Sequence, residues 1–185
     1  GYEYIIGSVH HIPVDGSWVS VDDAVEVTRH NVQDLFHGDS DAYSAAYYRQ
    51  LLRVADDPRL DIVGHFDQLT KFNEIAPLVN TDTLAYHKAA SEAMDALIAA
   101  GKIFEINTGA ISRGYRTTPY PALWLLQQLQ RRGARITITA DAHSADAVAC
   151  GYRDALARAE FVGFRELWFF NGQAFYPVPL CKITL

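Results

Sequence analysis

Five short apolar runs punctuate the chain: YEYIIGSV at 2–9, LDIVG at 60–64, KIFEIN at 102–107, RITITA at 135–140 and ELWFF at 166–170. Runs of this length, rich in β-branched and aromatic residues, predict strands. Between them the period changes. Residues 82–100 place Leu84, Ala85, Ala89, Ala93, Ala96, Leu97 and Ala100 on one face of a helix, with Thr81 as its cap and Gly101 as its stop. Pro121 opens a second helix with an apolar stripe of Leu125, Leu126 and Leu129, ended by Gly133. A third is predicted over 145–162, ending at Gly163, and two more over 20–31 and 40–55, joined near HGDS. Strands alternating with helices predict an α/β fold whose parallel sheet is covered on both faces, as an open sheet or a barrel.

The residues that follow each strand share a chemical character. The first run leads into His10, the second into His65, the third into Asn107, the fourth into Asp141 and His143, and the fifth into Asn171. In a parallel α/β array these carboxyl ends lie on one face, where such folds place their chemistry. Asp141 and His143, two apart, project from the same side of an extended segment, and a carboxylate with a neutral imidazole suits zinc, manganese or iron. The plainer reading of that pair alone is a turn in which Asp141 caps a helix near Ser144. Polar ligand-type groups at successive strand ends favour the metal site. His11 points away from His10 if the extended geometry continues, and reaches substrate only from the following loop, HIPVDGSW. His30, His37 and His87 read as surface residues.

Composition narrows the classes further. The chain has 185 residues, 49% of them hydrophobic, enough for one substantial core, so residues 1–185 are read as a single domain. A formal charge of -6 without any Lys/Arg run argues against a nucleic-acid partner. Cys150 and Cys181 form neither a disulfide framework nor a zinc spacing, which fits a reduced, cytoplasmic protein. No run approaches 18 uninterrupted apolar residues and the start carries no basic leader, so neither export nor membrane insertion is expected.

The stretches EYIIGSVHHIPVDG, DIVGHFDQLTKF, FEINTGAISRG and ITADAHS, with GF at 163–164 and PVPL at 177–180, resemble the PHP (polymerase and histidinol phosphatase) superfamily, histidinol-phosphatase branch. The resemblance implies a distorted (β/α)7 barrel with two or three divalent ions, His10, His65, Asp141 and His143 being ligands and the last two the core of catalysis. It also implies hydrolysis of L-histidinol phosphate to L-histidinol and phosphate in histidine biosynthesis. In such a site a metal-bridging hydroxide attacks the phosphoryl group while the ions neutralise its oxygens. Arg113 offers a guanidinium fork to phosphate, although a solvated loop arginine reads equally well; Lys71 and Arg116 are weaker candidates, and Asn107 could orient a ligand or substrate. The family pattern opens with an H-x-H strand and a metal-bridging glutamate, and neither is in this sequence. A barrel of this kind runs to roughly 250 residues. The chain therefore reads as the later two-thirds of one, lacking its first strands. Weak or absent turnover by the isolated chain, and self-association through exposed sheet edges, are the corresponding expectations. The alternatives are another phosphoesterase of the same superfamily, a noncatalytic metal-binding remnant, and a fragment completed by a separate polypeptide.

Overall fold

The computed structural model describes residues 1–184. Its central feature is a parallel sheet of four strands, β1 (Ile6–Gly7), β4 (Ile62–Val63), β5 (Ile103–Asn107) and β6 (Arg135–Thr139), in the order β1-β4-β5-β6. Both residues of β4 and all five of β5 are buried, as expected for strands covered on both faces. β1 lies at an edge, with Ile6 40% exposed. The first two strands are much shorter than their apolar runs, although single backbone bonds flank them, from Asp61 N to Ile5 O at 2.9 Å and from Gly64 N to Gly7 O at 2.8 Å. On the amino-terminal side Ile5 donates its own N–H to Asp61 Oδ2 at 3.0 Å instead of extending the ladder.

Two antiparallel hairpins flank the sheet. β2 (His11–Val14) and β3 (Ser17–Ser20) meet through Asp15-Gly16, both with positive φ (47° and 81°), the geometry that a two-residue hairpin turn requires. This hairpin occupies what the sequence pattern presents as a loop, and the Asp-Gly dipeptide is its signal. β7 (Glu166–Phe170) runs beside β6 but pairs antiparallel with β8 (Phe175–Pro179), so it is not a fifth parallel strand of the ladder. Asn171 lies in the connecting turn, where its Oδ1 accepts from the N–H groups of Gln173 and Ala174, both at 3.0 Å. Asn171 is thus held by a turn and does not join the other strand ends.

The helices cover the sheet largely as expected, with corrections in three stretches: 20–31, where Ser20 ends β3 and the helix begins only at Val25, 82–100 and 145–162. α1 (Val25–His30) continues as a wider turn through Leu35, and α2 (Ser40–Asp56) is capped by Asp39, whose carboxylate accepts from Asp41 N and Ala42 N. α3 (Leu84–Ala99) is capped by Thr83, not Thr81, and its inward face is Tyr86, Ala90, Ala93, Met94 and Leu97. Leu84 is 88% exposed, because the helix turns its aromatic Tyr86 inward to meet the Tyr48 hydroxyl of α2 at 2.9 Å. After the short α4 (Gly109–Ser112), α5 (Leu123–Arg131) buries Leu125, Leu126 and Leu129. The predicted 145–162 helix is split into a single turn at Ala145–Ala147 and α6 (Tyr152–Val162), separated by Gly151 in the left-handed region. No helix of the described residues is long and apolar enough to cross a membrane.

One buried ion pair fixes the connection after β4 against that after β5. Asp67, with no exposed surface, accepts from Ala122 N at 3.1 Å and lies 3.9 Å from Arg116 Nη1. Arg116 donates to Thr70 Oγ1 at 2.8 Å and stacks over the Tyr120 ring at 4.2 Å. It therefore serves the core and does not line the site cavity, contrary to its weak candidacy for phosphate. Replacing Arg116→Met should destabilise the protein by about 3 kcal/mol, since a buried carboxylate loses its counter-ion. Urea unfolding would measure this, and Asp67→Asn added to Arg116→Met should recover part of the loss. An unchanged midpoint would show the pair to be dispensable.

Candidate functional site

The carboxyl ends of the parallel strands open into a cavity of about 530 Å³, lined among others by His10, Asp22, His65, Gln68, Lys71, Glu105, Asn107, Arg113, Asp141 and His143. All four candidate metal ligands line it, together with Arg113, Lys71 and Asn107. His11 is exposed on β2 and is not among the lining residues. Of the remaining histidines, His30 pairs with Asp34 on the surface at 2.7 Å, His37 is exposed, and His87 stacks on Trp124 at 4.0 Å, away from the cavity.

The imidazoles of His10 and His65 face each other edge-on with ring centroids 4.9 Å apart. His65 is 5% exposed and its Nδ1 has no partner. Burial, followed by the neighbouring His10 charge, pushes the His65 pKa down to about 4, so the ring is neutral at physiological pH. Its backbone N–H donates to Glu105 Oε1 at 2.5 Å. Glu105 also accepts from Asn107 Nδ2 at 2.8 Å and Thr139 Oγ1 at 2.6 Å. Burial raises the Glu105 pKa against these three donors. Asn107 in turn accepts Gly109 N–H at 2.8 Å through Oδ1, so its amide is committed to shaping the turn after β5.

On the opposite wall, Arg113 donates to the Asp141 backbone oxygen at 3.0 Å and to its Oδ2 at 3.1 Å. Asp141 has positive φ (45°), an uncommon state for a residue with a side chain. Gly109 makes room for it: a Cβ there would lie 2.8 Å from both Asp141 Cβ and Oδ2. The other carboxylate oxygen is 3.5 Å from His143 Nε2, and the His143 side chain is 68% exposed.

Asp22, Gln68 and Glu105 have no place among the sequence candidates. Glu105 carried a usable signal, a carboxylate inside an otherwise apolar strand run, since such groups are almost never fully buried without dedicated partners. Asp22 carried none, because the VDDA stretch reads equally well as a helix start. Its Oδ2 accepts from Gln68 Nε2 at 2.8 Å and is 3.0 Å from His10 Nδ1. Burial would raise the Asp22 pKa, yet these hydrogen bonds with the His10 and Lys71 charges bring it down to about 2. The Asp22 hydrogen bond raises the pKa of His10 in return. Lys71 Nζ donates to the Asp22 backbone oxygen at 2.6 Å and sits 4.6 Å from the Tyr115 ring centre.

The donor chemistry fits a divalent cation in part. A buried neutral imidazole with an unpartnered nitrogen is a group whose desolvation asks for an ion or a water. His10, held at Nδ1, keeps Nε2 available. Among the described residues, however, no three His, Cys, Asp or Glu side chains converge closely enough to hold an ion by themselves. A resident ion would draw further ligands from water or substrate.

No family model matches the chain. It is 28% identical over 169 residues, 89% of its length, to the Schizosaccharomyces pombe protein named "Probable histidinol-phosphatase". It spans about half that relative's length (52%). A crystal structure described as a "putative histidinol phosphatase" from Listeria monocytogenes superposes with a TM-score of 0.69 at 16% identity, covering 80% of this chain and 56% of that one. The chain is thus an α/β protein with a parallel sheet, similar in sequence and in fold to proteins named as histidinol phosphatases.

Proposed function

We propose that this chain carries part of the active site of a metal-dependent phosphomonoester hydrolase, with L-histidinol phosphate as substrate and a (β/α)7-type barrel as the complete fold. The observation that carries the reading is the pairing, in one cavity at the carboxyl ends of parallel strands, of two ligand-competent imidazoles with two cationic side chains. His10, His65, Asp141 and His143 would contribute ligands to divalent zinc, manganese or iron, two to three ions in a complete site, with the remaining ligands supplied from outside these four residues. Such ions supply Lewis acidity toward phosphoryl oxygens and lower the pKa of water. The choice of ester rests on the relatives' names.

The chain's own residues would do the rest. Arg113 and Lys71 are the cavity's fixed cations, and an incoming phosphate dianion gains charge-assisted hydrogen bonds from whichever of their N–H groups Asp141 and Asp22 leave free. Glu105 and Asn107 hold the strand tips that carry the ligands. The buried wall formed by His65, Glu105 and Asn107 limits water on one side of the reacting group, and the exposed side of His143 leaves room for the leaving alcohol.

A second reading, a noncatalytic cation-binding relative, is favoured by the way Arg113 already occupies the Asp141 carboxylate. Two measurements on the purified protein separate the readings: metal content by elemental analysis, and hydrolysis of a panel of phosphate esters after zinc or manganese is added. Phosphatase function predicts about two to three ions per complete site and a preference for histidinol phosphate over the other esters, with weak turnover by this chain alone. Preference for another ester would move the assignment to a different phosphoesterase, and one ion or none without turnover would support the second reading. Arg113→Met should lower kcat/KM roughly tenfold to a hundredfold, the worth of a hydrogen bond to a charged group. Gly109→Ala forces a Cβ against Asp141 and should destabilise the fold by about 1–3 kcal/mol in chemical unfolding. An unperturbed Gly109→Ala protein would mean that Asp141 has another position available.

A further inference from the structure

We infer that Asp22 is a positioning residue that locks His10 in the tautomer protonated at Nδ1, leaving the Nε2 lone pair of a cavity-lining imidazole free. The role follows from three features of the fold. The first is the path of the chain. His10 immediately precedes β2 and Val21 immediately follows β3, and Val21 N–H closes the hairpin's base by donating to His10 O at 2.9 Å. Ten intervening residues fold back on themselves, so Asp22 arrives beside the His10 ring.

The second is the rigidity of its backbone. Buried Thr28 Oγ1 donates to Val21 O at 3.2 Å and buried Asn31 Nδ2 to Ser20 O at 2.7 Å, while Lys71 Nζ donates to the backbone oxygen of Asp22 itself at 2.6 Å. Three side chains, two from α1 and its continuation and one from the segment after β4, thus restrain residues 20–22, more restraint than a helix lead-in requires.

The third is the donor count. An ionised carboxylate accepts and cannot donate. Asp22 Oδ2 already takes Gln68 Nε2 at 2.8 Å, so the 3.0 Å contact with His10 Nδ1 is a hydrogen bond only if Nδ1 carries the proton. A neutral ring in that state has its lone pair on Nε2. A carboxylate that fixes a ligand imidazole in this way raises its basicity and sets its orientation. Only this consequence, that the freed nitrogen meets a cation, rests on the proposed phosphatase reading. The tautomer itself does not.

The test is therefore made on metal-free protein. Nitrogen-15 NMR at a pH where His10 is neutral, with its signals assigned by their loss in His10→Gln, should show a protonated, pyrrole-type Nδ1 and a bare, pyridine-type Nε2. In Asp22→Asn, whose amide can also donate, the preference should fall toward the Nε2–H form. A wild-type ring protonated at Nε2 would overturn the inference without any variant, and so would an Asp22→Asn spectrum identical to wild type from a protein shown to be folded. The expected spectra in a protein that hydrolyses no phosphate ester would leave Asp22's role standing and remove the phosphatase assignment.

Discussion

The site depends on one buried carboxylate. Glu105 lies in the middle of β5, with 2% of its surface exposed, and takes donors from the segment after β4, from β5 itself and from β6. A carboxylate moved into such a place costs several kcal/mol unless its lone pairs are filled. Here the donors that fill them are the His65 backbone N–H, the Asn107 amide and the Thr139 hydroxyl, which sit at the tips of three neighbouring strands. The requirement for satisfaction becomes a requirement on geometry: the three tips must stay in register for Glu105 to be tolerable, and while they do, His65 and Asn107 face one cavity. Parallel strands are followed by crossover connections, so their carboxyl ends lead into loops without a tight turn to hold them. Glu105 ties three of those ends together where the candidate chemistry sits.

Charge balance around the cavity is the second constraint. Asp22, Glu105 and Asp141 face Lys71 and Arg113, and the two cations are not freely disposed. Lys71 is pinned to Asp22 through its backbone oxygen, with the carboxylate 4.0 Å away, and Arg113 spans Asp141 from backbone oxygen to carboxylate. Each acid at the rim thus has a partner already in place, whereas His65 Nδ1 has none. The imidazole pair is therefore the part of the wall with unspent capacity for a ligand, and Asp141 is the part where a new cation competes with an arginine.

How much of this could be read in advance depended on the range of the interaction. Boundaries of β5 and β6, the leucine stripe of α5 and the strand-end positions of His10, His65, Asp141 and His143 all follow from periodicity within ten residues or so, and the structure puts the four polar residues around one cavity. The two-residue β1 and β4 did not follow, because an apolar run records burial and not ladder pairing, and Asp61 diverts the backbone of Ile5. The facing of α3 failed for a related reason: an alanine-rich helix has several nearly equivalent apolar stripes, and the choice among them was made by Tyr86 meeting Tyr48 across the core. Asn171 went astray because β7 is closed by a hairpin instead of leading into a crossover.

Asp22 marks the limit of that legibility. Its neighbours in sequence, Val21 to Ala24, carry every mark of a helix start, and a carboxylate in a first turn needs no further explanation. What removes it from the helix is the Asp15-Gly16 turn seven residues earlier: only a two-residue turn returns Val21 to the His10 carbonyl, and only that return brings the next side chain against the imidazole. A one-residue change in the turn would alter the register of β2 against β3 and put the opposite face of the strand toward His10. The hairpin thus does for His10 what Glu105 does for His65. One acts through register and the other through buried charge, and each converts a loop after a strand into a fixed position for an imidazole.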